Sequence, residues 1–145
     1  MATGDVTIFD EAKAYMIDGD WASTDDIKLA ILDNTTAPAA STATPALGDF
    51  TEVGAAGTYT AGGTSLGSLA ACVTEAGGTM KFTSATNPTW AQDASNDTDA
   101  HWGLIYNDTQ AGDPAIAFVE LGGPVDMTAG SLTVTWNASG IFTIT

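Results

Sequence analysis

Along the chain the period of the apolar positions changes once. Over residues 5–19 they recur at helical spacing, with Ile8, Ala12, Tyr15 and Met16 on one face. Asp5 or Thr7 can cap the first free N–H groups, Asp10 and Glu11 suit the positive end of the dipole, and Gly19 suits the position after the last turn. An N-terminal helix over 5–19 is therefore expected, its aromatic stripe turned toward a core. From Asp26 the period falls to two. Ile27-Lys28-Leu29-Ala30-Ile31-Leu32 reads as a strand closed by Asp33-Asn34, and short runs follow at 69–75, 79–83, 88–92, 101–107, 115–121, 131–136 and 141–145. Turn-forming groups separate them, among them Gly77-Gly78, Asn87-Pro88, Gly112-Asp113-Pro114 and Gly122-Gly123-Pro124. Short strands at this spacing predict a mainly β fold: one domain over 1–145, an antiparallel β-sandwich, jelly-roll-like, with one short helix packed on it.

Two stretches stand out from that rhythm. Residues 34–67 are rich in Ala, Thr, Gly and Pro and show neither period, which predicts a long loop, either an arm reaching outward or a segment ordered by a neighbour. At the other end, Leu132, Val134 and Trp136 alternate with Ser131, Thr133 and Thr135. A closing hairpin is expected there, turning at Asn137-Ala138-Ser139-Gly140, with an apolar face on the core and a threonine face available to a subunit contact.

Composition narrows the partners. The chain of 145 residues carries 18 acids against 3 lysines and no arginine, a net charge of −15. Lys13, Lys28 and Lys81 cannot make the basic stripe that phosphate binding needs, so nucleic acid and anionic membrane are excluded as expected partners. Cys72 is the only cysteine, which rules out an internal disulfide, and it sits among small apolar residues as a buried thiol would. The start of the chain shows no basic and apolar export pattern, and no run approaches the roughly 20 apolar residues of a membrane helix. A soluble acidic domain is expected.

No constellation of residues assigns a catalytic, cofactor-binding or metal site. Asp93-Ala94-Ser95-Asn96-Asp97-Thr98-Asp99 alternates oxygen ligands like the start of a calcium loop, yet Thr98 stands where that loop needs glycine and Leu104 where it needs glutamate. A solvated acidic loop is expected, with a weak structural cation as the alternative. His101 has no second imidazole for zinc and no nucleophile signature for a triad. Paired carboxylates could hydrolyse a glycoside, but the sequence selects no pair. Trp21, Trp90 and Trp102 could stack on sugars, or lie in the core or at subunit contacts. Four Asn-x-Ser/Thr matches, at Asn34, Asn96, Asn107 and Asn137, mean little without an export signal.

The order of segments carries a resemblance. A helix is followed by "DIKLAILDNTTAP", the glycine turn "YTAGGTSL" from Tyr59 to Leu66, the aromatic strand "HWGLIYNDT", and "AIAFVELGGPVDMTAGSLTVTWNASGIFTIT". Together, over roughly Asp5 to Thr145, these resemble a family of capsid decoration (cement) or minor head proteins of tailed bacteriophages. The resemblance implies a β-rich protein without enzymatic activity and without cofactors, made in the host cytoplasm. It further implies a homotrimer seated on the outer surface of the head, where it contacts the major capsid protein at capsomer junctions. Trp136 would anchor the family's closing hairpin in the core. Another virion role, as a tail, neck or fibre component in host attachment, is the alternative; a carbohydrate-binding module or carboxylate hydrolase comes after it.

Overall fold

The run Asp26–Leu32 is apolar at all but its first and third positions because both of its faces are buried. The structure, a computed structural model, describes residues 2–18 and 21–145. In chain order the elements are β1 (Val6–Ile8), α1 (Asp10–Asp18), β2 (Asp26–Leu32), a 3₁₀ turn (Leu47–Asp49), β3 (Thr64–Ser68), α2 (Leu69–Cys72), β4 (Val73–Ala76), β5 (Thr79–Phe82), β6 (Thr89–Trp90), β7 (Ala100–Asn107), β8 (Ala115–Val125), β9 (Leu132–Thr133) and β10 (Phe142–Ile144). The main sheet runs β1-β8-β7-β2-β3, beside a three-stranded sheet β10-β5-β4 and a ribbon β6-β9. Every pairing is antiparallel, so the expected mainly β, sandwich-like class is the observed one.

Alternation along β2 divides the core. Ile27, Leu29 and Ile31 face a cluster built with Phe82, Trp90, Leu132 and Val134 from the smaller sheets and their extensions. Ala30 and Leu32 face the other way, toward Phe9 and Ala12 at the start of α1, Phe50, and Leu104 and Tyr106 of β7. Phe9 packs its ring 5.0 Å from that of Phe118 and 6.1 Å from that of Phe50. Each such ring, taken fully out of water, contributes about 1.5–3 kcal/mol.

Three sequence expectations about element boundaries change. The helix begins at Asp10, not near Asp5, because Val6–Ile8 pairs with β8, Val6 opposite Val119 and Ile8 opposite Ala117. Three consecutive β-branched residues suit a strand better than a first helical turn. Gly19, expected to end the helix, lies outside the described residues. The run 69–75 opens with the helical turn α2 before becoming β4, and β8 continues through Gly122-Gly123-Pro124 to Val125.

The segment 34–67 is not an arm. Pro38, Pro45, Phe50, Val53, Tyr59 and Leu66 are all buried against the protein's own sheet. Beyond Leu29, opposite which β3 begins at Thr64, residues 51–53 take the edge of β2: the Asp33 N–H donates to the Thr51 carbonyl and the Val53 N–H to the Ile31 carbonyl, both at 3.0 Å. Alanine, threonine and glycine conceal this from periodicity, since the apolar anchors are spaced by packing rather than by a helix or strand.

The closing hairpin is not a hairpin either. β9 pairs with β6 while β10 pairs with β5, so the turn at 137–140 carries the chain from the ribbon to the three-stranded sheet. Side-chain bonds hold the two halves apart: the Trp136 N–H donates to Asn87 Oδ1 at 3.2 Å, its Nε1 donates to the Thr86 carbonyl at 3.0 Å, and Phe142 stacks on Phe82 at 4.7 Å. The expected alternation does hold. Leu132 and Val134 are buried, Trp136 is half-buried, and Ser131, Thr133 and Thr135 are exposed.

Candidate functional site

The glycine turn 59–66 builds the best-connected polar cluster. Gly62 and Gly63 both take left-handed φ values, +83° and +72°, which favour glycine. A Cβ on Gly63 would also stand 1.8 Å from the Leu29 carbonyl oxygen, so the turn can lie on β2 only because no side chain is there. This places the Tyr59 hydroxyl in the gap between β3 and residues 51–53 on the edge of β2, where it accepts the Ile31 N–H at 3.1 Å and donates to Glu52 Oε2 at 2.5 Å. Glu52 Oε2 also accepts the Gly62 N–H at 2.7 Å, and the Tyr106 hydroxyl donates to the Gly62 carbonyl at 2.7 Å. Burial first, and the Glu52 carboxylate second, push the Tyr59 hydroxyl far above the ordinary tyrosine range. Burial and Asp108 do the same to Tyr106. Both phenols stay protonated at neutral pH and act as fixed donors.

A second closed network surrounds Asp25, which the sequence reading passed over. Its Oδ2 accepts from Asn107 Nδ2 at 2.9 Å, Gln110 Nε2 at 2.7 Å and the Ala22 N–H at 3.1 Å. The Asn107 and Gln110 side chains hold this carboxyl below its usual range, outweighing the opposing effect of burial. The acidic loop is organised in the same manner. Asp97 accepts the Gly54, Thr98 and Asp99 N–H groups, chiefly the first, and its carboxyl is lowered as a result. Asn96 is buried and braces Thr58, Ala91 and Met127. Backbone amides thus occupy oxygens that a cation would need, and among the described residues no three His, Cys, Asp or Glu converge on a metal position. Asn96 and Asn107 are buried, which removes two of the four sequons as glycan acceptors.

The remaining singled-out residues are dispersed. His101 Nδ1 lies 2.9 Å from Asp99 Oδ1. Cys72 is buried, and burial, aided by Asp26, raises its thiol to about 11, far from a reactive thiolate. Trp90 is in the core beside Tyr59, Trp102 packs edge-on against Phe118, and Trp21 lies 5.9 Å from Tyr15. They form no common sugar-stacking platform. Among the described residues no helix is long and apolar enough to cross a membrane.

Surfaces offer more than pockets of chemistry do. One groove of about 460 Å³ is bordered by Tyr15, Met16, Trp21, Leu69, Val73 and Met80, with no charged residue in its lining among the described residues. On a chain with 18 acids that is a marked local exception. A second, of about 570 Å³, lies between β1 and the segment 132–136 and has Glu120 in its wall. Sequence reasoning found the Trp21 side chain and the helical face of Tyr15 and Met16 but could not foresee that α2, β4 and β5 would bring Leu69, Val73 and Met80 to them. No family model matches the chain, and neither a curated protein nor a solved structure matches it.

Proposed function

We propose that this protein is a non-enzymatic structural component of a tailed-phage virion, a decoration protein on the outer surface of the head. In this reading it acts as a homotrimer that binds the major capsid protein where capsomers meet. The resemblance over Asp5 to Thr145 suggests the role, and the apolar groove of Tyr15, Met16, Trp21, Leu69, Val73 and Met80 is the observation that carries it. Aromatic and methionine side chains in an open apolar groove are the usual anchors of a protein contact. The polar networks at Tyr59, Asp25 and Asp97 are consumed in holding the fold, which leaves surfaces to do the work.

The physical logic is one of linkage and avidity. A clamp that prefers assembled lattice to free subunits stabilises the shell by mass action. Three linked copies dock at high effective concentration once the first has bound. Each contact needs a standard interface of about 1,200–2,000 Å² in total. Three chains at −15 each bring −45, which is unfavourable beside packaged DNA and keeps particles apart when displayed outside. Cosedimentation with expanded capsids tests the reading: saturable binding that Trp21→Ala weakens at least tenfold, with the fold intact, supports it. Absence of binding overturns it, and capture at a portal or tail structure instead moves the protein to a neck, tail or fibre role.

A further inference from the structure

We infer that the apolar groove of α1, α2, β4 and β5 takes a segment of a partner polypeptide whose apolar centre is flanked by lysine or arginine, the basic flanks meeting Asp18 and Glu75. The inference rests on the reading that this groove is the protein contact, and adds the chemistry of what fills it.

Strand register fixes one border. β4 and β5 form a hairpin turning at Gly77-Gly78, with Val73 opposite Phe82 and Glu75 opposite Met80. Cross-strand partners and alternate residues share a face. Val73, Phe82 and Met80 all line the groove, so the Glu75 side chain stands on their face of the hairpin, toward the turn. Glu75 is exposed there, its carboxylate accepting the Gly78 N–H at 2.8 Å. Lys81 alternates to the other face, where its Nζ donates to the Ala138 carbonyl at 3.0 Å.

The helical border carries a second acid. Asp18 is exposed and lies three residues on from Tyr15, hence on that side of α1. It is also the last residue of the helix, whose final turn holds no basic residue. A carboxylate at the negative end of a helix dipole is unfavourable, and an approaching cation relieves it.

This chain has no cation to spare for either acid. Lys13 pairs with Asp10 at 3.0 Å, Lys28 pairs with Asp108 at 2.7 Å, Lys81 is turned away, and there is no arginine. Among the described residues neither Asp18 nor Glu75 has an ion-pair partner. A second copy would bring the same three engaged lysines and another −15, so the complementary occupant is a different, basic chain. Inside the acidic rim the groove asks for apolar side chains. Met16 and Met80 are half-buried and adapt to varied shapes, beside the rings of Tyr15 and Trp21.

The test uses the whole protein with labelled methionine methyl groups and three nine-residue probe peptides. The first has five leucine and phenylalanine residues between paired lysines, the second has glutamates in place of the lysines, and the third has serines in place of the apolar residues. The first should shift the Met16 and Met80 methyl resonances and leave that of Met127, fully buried in the core, unmoved. The glutamate peptide should bind about tenfold more weakly, and the serine peptide should leave both groove methyls unmoved. Asp18→Asn and Glu75→Gln should each weaken the lysine peptide about two- to fivefold without weakening the glutamate peptide. No shift with millimolar lysine peptide overturns the inference. So does a shift by the serine peptide, or a concentration-dependent shift of the same methyls without peptide, which would mark a second copy as the occupant. The capsid assay separates this inference from the virion role. Equal binding of the two charged peptides overturns the inference whatever capsids do, whereas the expected contrasts without capsid binding leave it standing and remove only that role.

Discussion

Removing the Tyr59 hydroxyl tests how the fold closes the gap that β3 and residues 51–53 leave on the edge of β2. In Tyr59→Phe the ring stays in the core, but the Ile31 N–H loses its acceptor at 3.1 Å and Glu52 loses a donor at 2.5 Å. The two losses differ in cost. Ile31 is fully buried, so its orphaned N–H costs about 1–3 kcal/mol. Glu52 is only half-buried and keeps the Gly62 N–H, so water replaces most of what it loses. The net expectation is about 2 kcal/mol. For a chain of this length the unfolding entropy is about 0.3 kcal/mol per kelvin, which converts that loss into a fall in Tm of about 7 °C. Urea unfolding followed by tryptophan fluorescence gives the free energy, and amide exchange at Ile31 locates it. A loss under about 0.5 kcal/mol, with Ile31 still protected, would show that the hydroxyl does not replace the missing strand.

Four further expectations follow from the same networks and turns. Because the folded state keeps Tyr59 and Tyr106 protonated beyond the unfolded tyrosine value of about 10, the folded chain binds more protons above it, and stability should fall as pH rises from there. The buried Cys72 thiol adds the same sign from a lower pH, and a chevron series at pH 8–11 should show a shallower decline in Tyr59→Phe. Asp25, Asp97 and Asp126 are lowered, so their contribution is present above the unfolded carboxylate value and lost as pH falls through the folded one; Asp25→Asn should cost about 1–2 kcal/mol at neutral pH and flatten the acid limb of a urea titration. Gly63→Ala should cost at least about 3 kcal/mol by calorimetry, since it adds left-handed strain to a clash with the Leu29 backbone. Thr44 holds φ at +45° with a β-branched side chain, so Thr44→Asn should raise stability by about 0.5–1 kcal/mol in the same assay.

The fold class was legible because periodicity survives wherever a strand has one regular neighbour on each side. β2, β5, β7 and β8 fall almost where alternation and turn residues put them. What escaped was set by long-range partners. Val6–Ile8 carries helix-compatible spacing and strand-compatible side chains at once, and only the waiting edge of β8 decides between them. The 34–67 segment looked like an arm because its anchors, Phe50, Val53 and Tyr59, are isolated among small residues. The 131–145 stretch has the sequence of a hairpin, yet Asn87, Thr86 and Phe82 divide it between two sheets. The same limit governs function. Trp21 could be singled out from the sequence, but its groove-mates come from α1, α2, β4 and β5, which only the assembled fold brings together.

The proposed role on the phage head is tested most directly by copy number. Purified virions analysed by quantitative gel densitometry should contain this chain in a small-integer ratio to the major capsid protein, and treatment that strips it should leave shells that open more readily on heating. A handful of copies per particle, or none, would contradict a decoration protein.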